Sequence, residues 1–99
     1  MSYNHDENLL ILQLSEDSKK IVRLLSNETS IRIITLLDKR HMSVGDLAGE
    51  LEMRMNTLKY NVDSLLEAGL IRIRQIKWSQ KGREIKVYEA VKKVIILLP

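Results

Sequence analysis

Apolar residues recur along this chain first at helical and then at strand spacing, and the period changes at Gly69. Asn8 to Leu14 is a Leu-rich run ended by Ser15-Glu16-Asp17-Ser18. Ser15 can accept from the free amides of a first turn and the acids favour its positive end, so a first helix is expected to begin there, with Ile21, Leu24 and Leu25 inward. Asn27 offers a second N-cap, and Ile31, Ile34 and Leu37 with Ile33 and Leu36 predict an apolar second helix at the centre of the core. His41-Met42 reads as an extended connector. Ser43, followed three residues later by Asp46, imitates a capping box for a helix of about two turns whose inner face is Val44, Leu47, Ala48 and Leu51.

A tight turn through Glu52 and Met53 leads to a longer helix, Met55 to Ala68, with Leu58, Val62, Leu65 and Leu66 inward and a polar opposite face. Gly69 closes it as a residue able to take positive φ. Leu70 to Trp78 then alternates, with Ile71, Ile73, Ile76 and Trp78 between Arg72, Arg74 and Lys77, and the break in parity predicts a bulge near Gln75. Ser79 to Gly82 is a turn signal and Arg83 to Tyr88 alternates again, so the pair reads as a β-hairpin. Val91 to Pro99 is a basic pair followed by an apolar run. With no repeat, linker or low-complexity stretch, residues 1–99 are expected to form a single domain, since a domain takes roughly 100 to 200 residues.

Composition narrows the function. Cys is absent, which removes disulfide staples, thiolate metal ligands and thiol nucleophiles together. The apolar runs fall far short of a ~20-residue membrane span. Asp6 and Glu7 stand where a secretion signal carries cations, so the chain is expected in the cytoplasm. His5 and His41 lack a second ligand at metal spacing, and Glu50 and Glu52 point apart, so neither a metal, a cofactor nor an enzyme is expected. The net charge of +3 is unevenly spread. Residues 71–99 carry eight Lys/Arg against Glu84 and Glu89, a local field suited to a polyanion, although alternating cations also simply solvate the outside of a strand pair.

Two short helices joined by a tight turn, the second amphipathic and followed at once by a basic hairpin, have the order of a winged helix-turn-helix, an α+β but mainly α fold with a three- to four-helix core and a β-hairpin wing. In that arrangement the second helix enters the major groove of double-stranded DNA and the hairpin reaches phosphates or the minor groove. The exposed face of the 55–68 helix supplies Arg54, Asn56, Thr57, Lys59, Tyr60 and Asp63 as candidate DNA contacts, with Asn56, Lys59, Tyr60 and Asp63 in one stripe. Asn pairs bidentately with adenine, and Arg or Lys with guanine. A carboxylate is repelled by phosphate, so Asp63 is read as structural before cytosine-reading, with Lys59 at i−4 to neutralise part of it. On the wing, 71–88, the candidates are Arg74, Lys77, Lys81, Gly82, Arg83 and Lys86, with Gly82 letting the backbone approach phosphate. Packing over its own sheet is preferred for Trp78 to stacking on a sugar.

Three stretches, Leu25-Ser26-Asn27-Glu28-Thr29-Ser30-Ile31-Arg32-Ile33-Ile34, Ser43-Val44-Gly45-Asp46-Leu47-Ala48 and Leu65-Leu66-Glu67-Ala68-Gly69-Leu70-Ile71, resemble those of arsenic-repressor-type (ArsR-like) winged-helix transcription regulators over about residues 15–90. The resemblance implies a symmetric dimer that reads operator DNA with the 55–68 helix and places its wing at 71–88. Metal-sensing members carry cysteines where this chain has Ser43 and Gly45, so the resemblance is to a regulator that does not sense metal. Arg54 and Tyr60-Asn61 also depart from the family's common residues, so no operator sequence carries over. The lack of Cys with abundant Ile, Lys and Arg suits a heat-loving archaeon.

The terminal runs, 8–14 and 91–98, are too apolar to remain wet and are expected either to join a homodimer or to fold back on the same monomer as added strands. A homodimer implies a palindromic operator. The alternative to DNA binding is a winged-helix interaction module that binds an acidic protein partner.

Overall fold

A computed structural model describes residues 9–99. His5, Asp6, Glu7 and Asn8, and the readings made on them, lie outside the described residues. The chain runs β1 (Leu9–Gln13), a 3-10 turn, α1 (Lys19–Ser26), α2 (Glu28–Lys39), β2 (Met42–Ser43), α3 (Val44–Leu51), α4 (Met55–Glu67), β3 (Ile71–Trp78), β4 (Glu84–Ala90) and β5 (Val94–Leu98). The expected winged helix-turn-helix is present.

The caps fall where the residues favour them. The Asn27 side chain accepts from the Ser30 amide, and Ser43 and Asp46 form a reciprocal box at the start of α3. At Ser15 the outcome differs. Its amide donates to the Ser18 hydroxyl, which donates back to the Ser15 carbonyl, and this closes a 3-10 turn at Glu16–Ser18 that delays α1 until Lys19.

The core gathers Leu24, Ile33, Leu37, Met42, Leu47, Leu51, Leu58, Val62, Leu65, Leu70, Ile71 and Tyr88. On α2 the buried stripe is Ser30, Ile33 and Leu37, whereas Ile31 is exposed. The apolar pattern misplaces that stripe because Ser30 is polar. Its hydroxyl accepts from Asn61 Nδ2 at 2.9 Å, and the same amide donates to Asn27 Oδ1 at 3.2 Å. A small residue at 30 lets α4 cross close to α2, and the hydrogen bond offsets the desolvation of its hydroxyl.

Two sheets flank the helices. In one, β2–β4–β3 run antiparallel, with Met42 opposite Tyr88 and Ile71 opposite Ala90. The expected connector at His41-Met42 is thus partly a third strand, too short to show an alternating pattern. The bulge lies where parity breaks, because the register skips Arg74 between Ile73 and Gln75. In the other sheet β1 and β5 pair in parallel, Leu9 with Val94 through Gln13 with Leu98. The first and last strands of the described residues therefore pair with each other.

The helix-turn-helix corner is made by Glu52, a non-glycine residue at φ 53° and the C-cap of α3. An L-residue there strains its Cβ against the backbone by about 1–2 kcal/mol, which Gly lacks, although Gly gives back part of that through its freer unfolded chain. Glu52→Gly is therefore expected to raise stability by about 0.5–1 kcal/mol, and Glu52→Val to lower it. Urea unfolding followed by circular dichroism reads both.

Candidate nucleic-acid interface

Burial of Leu58, Val62 and Leu65 turns the other side of α4 to solvent, and Asn56, Thr57, Lys59, Tyr60 and Asp63 are all exposed there. Arg54, also exposed, is the N-cap. The stripe divides between two clefts. Lys59 and Asp63, with Met55, border a groove of about 710 Å³ whose far wall is Glu84, Ile85, Lys86 and Tyr88 of β4 and whose end is Ser43 to Gly45. Tyr60 borders a smaller cleft toward α1, with Lys20, Arg23 and Asn61.

The hairpin tip is closed by Ser79. Its amide donates to the Arg83 carbonyl, its carbonyl accepts from Gly82, and its hydroxyl accepts from the Arg83 amide. Gly82 takes φ 74° with open space where a Cβ would stand. Beyond Ile71, every residue of β3 is exposed, so the hairpin projects from the body. Trp78 is 69% exposed, which overturns the expected packing over its own sheet. The sheet has no third layer at that end for the ring to cover.

Charge divides along the hairpin. At its base Arg72 Nε and Arg74 Nη1 donate to the two oxygens of Glu89 at 2.7 and 3.1 Å. Arg74, expected among the DNA contacts, therefore has its charge engaged within the sheet. The ion pairs found among the described residues include none of Lys59, Asp63, Lys77, Lys81, Arg83 and Lys86. Lys59 thus does not pair with Asp63 as its spacing allows. Instead Asp63 and Glu84 face Tyr88, where burial first and then these two negative charges hold the phenol above its usual pKa and neutral. Pattern reading missed Glu89, Glu84 and Asn61. Counting back from the Ser79–Gly82 turn across the bulge places Glu89 opposite Arg72, a signal that was available.

No three His, Cys, Asp or Glu side chains gather as a metal set among the described residues, and no helix there is long and apolar enough to cross a membrane.

Four helices, a helix-turn-helix at α3–α4 and the projecting hairpin define a winged helix-turn-helix protein. A helix-turn-helix domain family matches residues 25–74, and the chain belongs to that family. Comparison with curated proteins finds no match. Among solved structures, reduced HlyU from Vibrio cholerae is similar at 26% identity over 76% of each chain, with a TM-score of 0.59. A possible transcriptional regulator from Methanosarcina mazei is similar at 14% identity over 78% of this chain and 67% of its own, with a TM-score of 0.61. The homodimeric winged helix-turn-helix DNA-binding domain of a possible ArsR-family regulator from Mycobacterium bovis is similar at 20% identity, covering 72% of this chain and 60% of its own, with a TM-score of 0.56. The winged-helix fold that the ArsR-like resemblance implies is the fold of these neighbours, one of which is described as a possible ArsR-family regulator.

The Glu89 pair makes stability depend on acid. The hydrogen bond from Arg72, which outweighs the opposing desolvation, and then that from Arg74 hold its carboxyl below the usual carboxylate pKa. A carboxylate lowered in the folded state contributes stability that is complete above its unfolded pKa, about 4.3, and is lost as pH falls through the lower folded value. Glu89→Gln is expected to lower the melting temperature at pH 7 and to flatten its decline below about pH 4.3. Melts of both proteins from pH 7 to pH 2.5 check this.

Proposed function

We propose that this chain is a homodimeric transcription regulator, not an enzyme, that binds double-stranded DNA sequence-specifically in the cytoplasm. Its α4 enters the major groove with Arg54, Asn56, Thr57, Lys59 and Tyr60 toward the bases, while Lys77, Lys81, Gly82, Arg83 and Lys86 lie on phosphates or in the minor groove. Arg74 serves the wing's root and Asp63 serves the groove beside Tyr88. One observation carries this reading: Lys59 of α4 and Lys86 of the hairpin, neither in an ion pair among the described residues, border the same groove. The homodimeric DNA-binding neighbour from Mycobacterium bovis supports it.

Counterion release fixes the test. The logarithm of the binding constant should fall linearly with the logarithm of salt concentration, by about 0.9 per phosphate neutralised. Lys81→Ala and Arg83→Ala are expected to weaken all duplexes alike and to reduce that slope by about one each, whereas Asn56→Ala and Tyr60→Ala change which sequence is preferred. Anisotropy titrations at several salt concentrations, with sequences selected from random duplexes, read both effects. Binding that is absent at low salt, together with capture of one stoichiometric acidic protein, speaks for an interaction module instead.

The terminal runs supply the dimer surface in this proposal. Leu9, Ile11, Val94, Ile96 and Leu98 share one face of the β1–β5 pair by register, and all but Leu9 are at least 40% exposed. The other face carries Ile95, which packs on the core. Parallel strands are found with both faces covered, so a second copy is the natural cover for the outer one. The double substitution Ile11→Lys and Ile96→Lys should yield a folded monomer by sedimentation, with affinity for a palindrome falling to that for a half-site. A variant that stays dimeric overturns this interface.

A further inference from the structure

The single Trp of the chain stands on the hairpin with no packing role to explain it. Trp78 pairs with Glu84, and Ile76, 49% exposed, pairs with Lys86. Paired residues in an antiparallel ladder share a face, and so do residues two apart along a strand. Trp78, Ile76, Glu84 and Lys86 therefore lie on the face that continues into Tyr88, and Glu84, Lys86 and Tyr88 line the groove against α4. The indole thus stands on the sheet face turned toward the side from which α4 meets a duplex.

Trp78 and Ile76 together form an exposed apolar patch rimmed by charge, the kind of surface that marks an interaction site. A second copy's wing is a poor occupant, because the hairpin that bears the ring also carries Lys77, Lys81, Arg83 and Lys86 and two such tips repel each other. A polyanion with apolar surface of its own is a good one. In the minor groove of DNA, sugars and base edges lie between two rows of phosphates, and apolar side chains wedge or pack there while flanking cations hold the backbone. Glu84 opposite the ring turns phosphate away from that side, which leaves the sugar edge as the surface the ring meets. We propose that Trp78 is a DNA-contacting residue of the wing, its indole seated against the sugars of the minor groove beside the segment read by α4, with Ile76 widening the apolar contact. This rests on the DNA-binding reading above.

Because Trp78 is the only tryptophan, intrinsic emission reports that site alone. A labelled duplex carrying the selected sequence is titrated with the protein while anisotropy is recorded, and the reverse titration follows tryptophan emission and its quenching by acrylamide. The expected result is that emission changes and acrylamide access falls at the same duplex concentrations that saturate anisotropy. Trp78→Ala should weaken binding about tenfold, and Trp78→Phe should stay within about threefold of the parent, the size expected for loss and partial rescue of one aromatic stacking contact. The melting temperature of both variants should match the parent's, since the ring covers little of the molecule. Duplex binding with unchanged emission and acrylamide access, or full affinity in Trp78→Ala, overturns the contact and leaves the DNA-binding reading intact. Absence of duplex binding by anisotropy overturns both. An emission shift that follows protein concentration without DNA assigns the ring to a second copy and overturns the contact as well.

Discussion

The rotation of α4 about its own axis is the constraint on which the interface depends. Leu58, Val62 and Leu65 are fully buried, on one line of the helix. A slip of one residue turns the helix by about 100° and carries Lys59 into the position of Leu58. Burying an unpaired ammonium costs several kcal/mol even after relaxation, on the order of a domain's whole stability margin. Asn61 adds a polar lock on the neighbouring side through its bonds to Ser30 and Asn27. The wet face, Asn56 through Asp63, is therefore set by the packing behind it.

Electrostatics divides the hairpin into a structural root and a reactive tip. At the root one half-buried carboxylate, Glu89, takes both Arg72 and Arg74 across the strands, and the bulge at Arg74 brings the second guanidinium within reach of an acid that a regular ladder assigns to the first. At the tip four cations share the surface with Glu84 alone and pair with none of the carboxylates among the described residues. The same residue type thus serves two ends according to what stands opposite it, and opposition is a property of register.

Periodicity and capping chemistry made most of the fold legible. Helix α4, the Asn27 and Ser43 caps, the positive φ at Gly69 and the bulge beside Gln75 each follow from local residues whose physics has one good solution. What escaped was decided at long range. Ser30 is buried because Asn61 reaches it from another helix, and Met42 is a strand because β4 lies beside it, although two residues carry no period. Trp78 is exposed because the hairpin outruns the body, a matter of length against core size that local alternation does not report. The exposed face of α4 was legible; the pairing of Arg74 with Glu89 was not, since that partner stands fifteen residues on across a turn.

In the proposed dimer, the parallel pair of β1 and β5 joins this architecture to the spacing of a two-fold site. Its inner face sits on the core through Ile95, and the approach to β5 is fastened to the turn that launches the wing: the Val91 amide donates to the Leu70 carbonyl at 3.0 Å, and Lys93 Nζ donates to the Gly69 carbonyl at 3.2 Å. Strand β5 is therefore tied to the root of the hairpin. In the proposed dimer, a symmetric copy seated on the outer aliphatic face would hold two such roots, and with them two α4 helices, at one separation. Recognition of two half-sites about one helical turn apart, roughly 34 Å, demands that separation. An aliphatic sheet without charged side chains suits the purpose, because apolar burial is not screened by salt as the phosphate contacts proposed for the wing's cations are.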